Sequence, residues 1–178
     1  MLTEAQKAEL LQIAREAIAA RVTGMPEVER RVAEALPEAS GVFVTIKKRG
    51  DLRGCLGTLR CSAGLAEEVA RCAGDSASQD PRFPPVSPGE IPDLSVEISV
   101  LGPLEEIDPR RPGAIEIGRH GLVVEKGFNR GLLLPQVATE WGWDVETFLR
   151  QTARKAGLPL DGWEQGARVY RFDAEVFG

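Results

Sequence analysis

The residues best suited to chemistry stand in one short segment, Leu52-Arg53-Gly54-Cys55-Leu56-Gly57-Thr58. A cysteine acts as a nucleophile through its thiolate, and a nearby cation lowers the thiol pKa from its free value of about 8.5. Arg53 stands two positions before Cys55, so their side chains share a strand face if the backbone alternates regularly. The segment indicates either a catalytic thiol at Cys55 or a buried one, because free cysteine often behaves as a small core residue.

The single histidine, His120, is the candidate base for that thiol. An imidazole titrates near neutral pH and can accept the proton of a cysteine. A lone histidine also makes purely structural hydrogen bonds, so both roles stay open. The other two cysteines, Cys61 and Cys72, are interpreted as core residues, in keeping with how often free cysteine is buried.

The cysteines predict neither a disulfide nor a metal centre. They form an odd set without a CxxC pair, which indicates free thiols in a reducing compartment. Thiols spaced six and eleven residues apart, with one histidine elsewhere, do not follow a zinc-ligand pattern. We therefore expect no metal and no cofactor.

An anion-binding surface is predicted around Cys55. The local charge is positive, and residues 47–60 contain Lys47, Lys48, Arg49, Arg53 and Arg60 against Asp51 alone. Arg82, in a proline-rich segment, can offer a bidentate guanidinium to a carboxylate or phosphate. Near Gly64, the start of the next predicted helix adds unpaired backbone N–H groups. Together these features favour an anionic ligand.

The overall charge argues against a nucleic-acid-binding protein. The chain has 27 acidic and 22 basic side chains and a formal net charge of -5, which disfavours a broad electropositive surface. Gly54-Cys55-Leu56-Gly57 has the GxxG spacing of KH-type RNA binders, but that loop joins two helices and this segment is predicted to be a strand. RNA or DNA binding is therefore the less favoured alternative.

Length and hydropathy predict a compact cytoplasmic protein. With 178 residues, the chain fits a single domain over residues 1–178, or two tightly joined subdomains without a clear boundary. Its first residues lack the charged and apolar regions of a secretory signal, and no run of 18 apolar residues spans a membrane.

Helical periodicity predicts the first elements of the fold. Thr3 and Gln6 form a capping box ahead of apolar residues at helical spacing. A second, shorter helix is predicted from Val28, Val32 and Leu36. A third begins near Leu65 and precedes the proline-rich segment, which has to be a shaped loop because proline removes backbone donors.

Strand periodicity predicts two β-hairpins and two further strands. The apolar alternation covers residues 41–47, 52–59, 94–100, 121–125, 131–134 and 168–172, and Ile115 with Ile117 predicts one strand more. Helical patterns after Pro135 and Asp144 separate the second hairpin from the last strand. This mixed order predicts an α+β fold with mixed or antiparallel sheets and flanking helices, since regular βαβ alternation is missing.

Four short sequence motifs, in this order along the chain, resemble motifs of the AMMECR domain family. They are Leu52-Arg53-Gly54-Cys55-Leu56-Gly57-Thr58, Asp80-Pro81-Arg82-Phe83-Pro84-Pro85, Leu134-Pro135-Gln136-Val137 and Lys155-Ala156-Gly157-Leu158-Pro159. The resemblance extends from about Thr3 to Phe177. The chain is similar to stand-alone prokaryotic members of the family, which carry the label AmmeMemoRadiSam system protein A.

The resemblance implies a larger and a smaller subdomain and a cleft near the Arg-Gly-Cys motif. It does not imply a known reaction. The positions it carries over are Arg53, Gly54, Cys55, Gly57, Asp80, Arg82 and Phe83; His120 matches only some members. A Memo-type protein and a radical SAM enzyme are the implied partners, although this chain lacks the CxxxCxxC motif of the latter. We expect binding of a small anionic ligand or partner protein, with a Cys55-dependent enzyme as the alternative.

Overall fold

Helix α1 begins at the capping box that the sequence predicts. The structure, a computed structural model, describes residues 2–26, 32 and 35–178. In it α1 spans Glu4–Thr23; the Thr3 hydroxyl accepts a hydrogen bond from the Gln6 N–H, and the Gln6 side chain accepts one from the Thr3 N–H. The helix ends at Gly24, whose φ of 70° suits a left-handed C-cap.

Three antiparallel strands follow, in the order β2-β1-β3. They are β1 (Gly41–Lys48), β2 (Asp51–Thr58) and β3 (Leu94–Leu101). The turn between β1 and β2 lies where the sequence predicts it and places Arg49 and Gly50 at φ values of 53° and 93°. Two positive φ angles are what a two-residue type I′ hairpin turn requires.

One face of this sheet packs against α1 and α2, the second helix, which spans Leu65–Ser78. Alternate residues of β1, namely Val42, Val44 and Ile46, are fully buried there, as the two-residue period of a strand dictates. They share one core with apolar side chains of both helices. The predicted loop follows α2 and leads into a short 3-10 helix at Pro88–Asp93.

The elements after β3 form a second core. They are β4 (Glu105–Ile107), β5 (His120–Lys126), β6 (Asn129–Leu133), α3 (Pro135–Glu140), α4 (Val145–Lys155), a 3-10 turn (Gly162–Glu164) and β7 (Arg168–Phe177). Strand β7 pairs antiparallel with β4 and β5, and β5 pairs with β6. Leu122 and Val124 of β5 pack against Phe148 and Leu149 of α4.

The chain divides into two compact units. Unit 1 comprises Met1–Leu101 with Glu175–Gly178, and unit 2 comprises Gly102–Ala174. The described residues contain both helices and antiparallel strands, so the predicted α+β class is confirmed. A tight association of two subdomains stays a prediction. Within the described ranges, no helix combines the length and apolar character needed to cross a bilayer.

Some sequence predictions differ from the structure. Ile115 and Ile117 do not add a strand, since they lie in irregular backbone and a turn; the N–H of His120 closes this turn on the Glu116 carbonyl. Ile115 is buried in the irregular segment before this turn, which explains its apolar character. The predicted helix at Val28 falls outside the described residues. The described residues Val32 and Leu36 have no helical structure.

Candidate functional site

A β-bulge in β2 decides which way Cys55 faces. Ile46 pairs with Gly54 and Lys47 with Leu52, so Arg53 is the extra residue of the bulged strand. The shift of one residue places Cys55 opposite Thr45. Cys55 therefore lies on the sheet face opposite the helices, half-buried, and not among the apolar side chains of the core.

The Cys55 thiol has one described hydrogen-bond partner. The Thr45 hydroxyl donates to Sγ at 3.2 Å. A hydroxyl at this distance fixes the orientation of the sulfur and offers it a donor. The thiol therefore sits in a defined position beside a polar group, as a site residue requires.

Gly54 permits the close contact that a glycine inside a strand predicts. A Cβ atom on Gly54 would lie 2.1 Å from the backbone carbonyl oxygen of Ser76 in α2. The Ser76 hydroxyl accepts a hydrogen bond from the Leu56 N–H at 2.8 Å and also lies 2.8 Å from the Val44 carbonyl. Gly54 and Ser76 together fasten this part of β2 to α2.

Asp80 connects the backbone of Cys55 to the side chain of Arg82. One carboxylate oxygen of Asp80 accepts the Cys55 N–H at 2.9 Å, and both oxygens accept from the Arg82 guanidinium, at 3.0 Å from Nε and 2.8 Å from Nη2. The Asp80 side chain is 2% exposed. The Arg82 guanidinium holds the pKa of this buried carboxyl well below its usual range.

Arg82 has a buried side and an open side. Its Nη2 also donates to the Cys55 carbonyl at 3.4 Å, whereas its Nη1 donates to no residue that the structure describes. The side chain is 54% exposed, and its guanidinium carbon lies 5.5 Å from the Phe83 ring centroid. Arg82 thus presents an oriented cation to solvent, next to Cys55 and an aromatic ring.

Arg53 has a different role from Arg82. It donates to both carboxylate oxygens of Glu90, at 3.0 Å and 3.1 Å, and to the carbonyls of Pro84 and Pro85. Its side chain is 12% exposed. Most of the Arg53 donors are therefore occupied in holding the proline-rich loop against β2. Arg53 and Lys48 hold the pKa of Glu90 well below its usual range, together with the Ser87 N–H.

The basic excess of residues 47–60 is largely neutralised by carboxylates that follow the proline-rich loop. Lys47 pairs with Glu97, Arg49 with Asp93, and both Lys48 and Arg53 pair with Glu90. The local composition alone overestimates the positive potential of this hairpin, because its partners are distant in sequence. Among the described residues, Arg60 has no ion pair of this kind.

The remaining candidates lie away from this cluster. Cys72 is buried in the core of unit 1, and burial raises its pKa to about 11. Cys61 is half-buried; burial, and then the Glu68 charge, raise its pKa. Among residues 2–26, 32 and 35–178, no three histidine, cysteine or acidic side chains are placed to hold a metal ion.

His120 is a buried residue at the start of β5 in unit 2. Its Nδ1 accepts the Glu116 N–H at 2.9 Å, so the neutral ring carries its proton on Nε2. Burial, followed by the Arg171 charge, lowers its pKa. The described hydrogen bond gives His120 a structural role in the turn before β5. A catalytic pair of His120 with Cys55 stays a prediction.

Four residues of the site were not predicted from the sequence. Ser87 and Glu90 form a capping box around Pro88–Asp93, so their S-x-x-E spacing was a usable signal. Thr45 had no such sequence signal, because a regular hairpin would have placed it opposite Gly54. Only the bulge places Thr45 opposite Cys55. Ser76 also carried no sequence signal, since a serine in a helix interior is usually no more than a surface residue.

Comparison with known proteins supports the family resemblance of the four sequence motifs. The AMMECR1 family matches residues 11–177. The chain belongs to the AMMECR1 family. A protein of Methanothermobacter thermautotrophicus is 46% identical over 177 residues, covering 94% of this chain and 91% of its own. One of Thermococcus gammatolerans is 47% identical over 179 residues, covering 94% and 87%.

The AMMECR1 fold is also known from a solved structure. The crystal structure of the uncharacterized protein PH0010 from Pyrococcus horikoshii has a TM-score of 0.84 and 46% sequence identity, covering 94% of this chain and 88% of that one. The relatives carry no named activity. Membership in the AMMECR1 family therefore establishes the fold, and the function has to be argued from the site.

Proposed function

We propose that unit 1 binds a ligand with a carboxylate or phosphate group, which Arg82 holds beside the Cys55 thiol. The observation that carries the proposal is the asymmetric use of the Arg82 guanidinium. Nε and Nη2 are bound to Asp80 on the buried side, and the two N–H groups of Nη1 have no partner among the described residues. A planar guanidinium with free donors suits an anionic oxygen.

Preorganisation strengthens this site. A flexible arginine loses side-chain entropy when it binds a ligand, whereas Arg82 is already ordered by Asp80, and Asp80 by the Cys55 N–H. The carboxylate is buried and the cation half-exposed, so the pair presents its positive end to solvent. Phe83 and Cys55 lie beside this cation and provide contacts for the uncharged part of a small ligand.

Titration with inorganic phosphate and with succinate tests the proposal, observed by NMR through the backbone N–H resonances of Cys55 and Phe83, which remain present when Arg82 is replaced. We expect a saturable shift in the wild-type protein and none in Arg82→Gln. Arg60→Gln is the matched control, because Arg60 is exposed and has no described ion pair. Equal effects of both substitutions would reduce the binding to general charge screening and would refute a site at Arg82.

A second candidate, a cysteine-dependent enzyme, is favoured by the hydrogen bond from Thr45 to Cys55. In that function the Cys55 thiol would lose its proton to solvent, and its sulfur would attack a carbonyl carbon of a ligand whose anionic group is bound by Arg82. The C=O π bond would break and place its electron pair on the oxygen. Hydroxyl donation to sulfur is most useful to a thiolate, which is the nucleophilic form. Both candidate functions use the same ligand position and differ only in what Cys55 does.

Alkylation by iodoacetamide as a function of pH separates the two candidates. The enzyme predicts that Cys55 reacts faster than an ordinary exposed thiol, and that Thr45→Val slows the reaction. It also predicts that Cys55→Ser abolishes function. A binding module predicts ordinary reactivity and a Cys55→Ser variant that still binds the anion, and this result would exclude chemistry at the sulfur.

The partners implied by the family resemblance are part of the proposal. A carboxylate side chain or a bound phosphate of a Memo-type or radical SAM protein would supply the same anionic group to Arg82. Co-purification of either protein should then be lost in Arg82→Gln and kept in Arg60→Gln. If the partner protein still co-purified with both variants, its contact with this chain would lie outside the Arg82 site.

A further inference from the structure

Unit 2 has an exposed strand edge that the function proposed for unit 1 does not use. We propose that β6 binds an extended acidic peptide of a partner protein as an added β-strand. Strand β6 pairs with β5 on one side and ends the strand order on the other. Peptides that add to such an edge gain affinity from backbone hydrogen bonds and specificity from alternate side chains.

The hairpin register identifies the free backbone groups. Gly127 and Phe128 are the only residues between the paired Lys126 and Asn129, so this pair exchanges backbone hydrogen bonds and every second pair does the same. Arg130 lies between two hydrogen-bonded residues of β6, Asn129 and Gly131, and therefore directs its own N–H and C=O away from β5. The same holds for Leu132. No residue in the described ranges bonds these outward groups.

A shallow groove opens at the Leu133 end of this edge, beyond the point where β6 contacts α4. Gly131 faces α4, and a Cβ atom there would lie 2.2 Å from the Ala156 nitrogen. Two residues further along, Leu133 lines a cavity of about 360 Å³ together with Trp143, Gln151, Arg154 and Lys155. An edge strand with a groove at one end can accept both the backbone and the side chains of an extended peptide.

The charge around the groove selects an acidic peptide. Arg154 and Lys155 are exposed at the end of α4 and have no described ion pair, and Lys126 is likewise exposed on β5. Arg130 shares its single partner, Glu125, with Arg168. This cationic surface belongs to a chain of net charge -5, so it differs in sign from the rest of the molecule.

The same charge argues against a second copy of this chain on the edge. Two β6 strands paired across a two-fold axis would bring Arg130, Arg154 and Lys155 of each copy close to those of the other. Like charges opposed across an interface are destabilising, whereas glutamate and aspartate side chains would be attracted. The exposed rings of Trp141 and Phe128 add apolar contact surface in the same unit.

The first test uses a short fluorescein-labelled peptide of alternating valine and glutamate, with fluorescence anisotropy as the measure of binding. We expect saturable binding at low salt, and binding at least about tenfold weaker for the Arg154→Glu/Lys155→Glu variant. The Arg15→Glu/Arg110→Glu variant makes the same charge change at exposed side chains without described partners and should bind normally. Equal weakening in both variants would contradict a site at β6.

The second test uses chemical changes in the peptide, so protein folding is not affected. Two versions carry N-methyl groups on either the valine or the glutamate amides, which blocks one edge of the added strand or the other. We expect one version to lose binding and the other to keep it, and the Arg130 and Leu132 amides to exchange more slowly with solvent in the complex. Equal binding of both versions would leave only charge attraction and would overturn strand addition. Slow exchange of these amides in a peptide-free dimer would assign the edge to a second copy.

Discussion

Asp80 determines both the position and the charge of the candidate site. Its carboxylate joins the backbone of Cys55 to the guanidinium of Arg82, and it does so with almost no exposure to solvent. A buried carboxylate is stable only when its lone pairs are satisfied. The cation that we propose as the ligand contact is therefore also the partner that lets Asp80 remain ionised.

Asp80→Asn should destabilise unit 1 by about 2 kcal/mol at pH 7, since charge-assisted hydrogen bonds are lost. The pKa of Asp80 is depressed in the folded state, so its contribution is fully present above the unfolded pKa of about 4, declines as the pH falls below that value, and is lost only as the pH falls through the depressed folded pKa. Urea unfolding between pH 7 and pH 3 should therefore show a shallower acid loss in Asp80→Asn. The exposed Asp51→Asn control should follow the wild type; a slope equal to that of the wild type in Asp80→Asn would contradict this assignment.

Cys72 predicts a loss of stability in alkali. Burial raises its pKa to about 11, so the neutral thiol is stabilised in the folded state. That contribution is complete below the unfolded thiol pKa of about 8.5 and is lost as the pH rises toward 11. We expect Cys72→Ala to lower stability at pH 7 through a small cavity and to flatten the decline above pH 9, measured by urea unfolding. Native alkylation of Cys72 as fast as that of Cys55 would contradict its burial.

At the scale of elements, the β1–β2 hairpin is shaped by two glycines with different tasks. Gly50 has a positive φ of 93° and open space around its α-carbon, so it serves the turn. Gly54 has no such φ and instead lies against the backbone of α2. The first glycine sets the hairpin turn, and the second sets the distance between β2 and α2.

Substitution of these glycines by alanine should separate the two effects. Gly50→Ala should cost about 1–2 kcal/mol, because an alanine at that φ is strained. Gly54→Ala should cost about 3 kcal/mol, since its methyl group would meet a carbonyl oxygen that cannot move without shifting α2. Gly89→Ala, with nothing within 4 Å, is the control and should stay near the wild type. Denaturant unfolding measures all three, and equal costs at Gly50 and Gly54 would contradict the contact.

The periodicity of the sequence predicted the elements that carry a simple pattern. The capping box of α1, the turn of the first hairpin and the alternation of β1 and β3 each depend on neighbouring residues only. Gly54 and Gly57 inside the strand indicate either a bulge or a close backbone contact, but the position of the bulge at Arg53 depends on how β2 contacts Ser76, Asp80 and Glu90. Contacts far apart in sequence therefore decide which face Cys55 occupies.

At the scale of the molecule, ion pairing determines how the surface charge is distributed. The hairpin cations face carboxylates of the segment from Glu90 to Glu97, so the basic composition of residues 47–60 produces little free positive charge. The sequence indicated both Arg53 and Arg82 as candidate ligands of an anion, yet it could not distinguish the open donors of Arg82 from the occupied donors of Arg53. That difference arises only when the loop folds back on β2.

RNA and DNA should therefore not be retained by this protein. At about 50 mM salt, where charge-driven binding to nucleic acid is strong, we expect the wild type to pass through a single-stranded DNA column. The double variant Asp93→Asn/Glu97→Gln removes the carboxylate partners of Arg49 and Lys47, so it should elute later than the wild type. Retention of the wild type that decreases with added salt would restore nucleic-acid binding as a function.

The hydrogen bond from the Gly102 N–H to the Asp173 carbonyl, 2.9 Å long, joins the two ends of the segment that forms unit 2. A segment whose ends touch can be exchanged for a short turn without stretching the chain that remains. We therefore expect that residues 102–173 of one family member can replace the corresponding segment of another, although the second junction lies within β7. Such chimaeras would reveal which of the two segments carries the biological specificity of each parent.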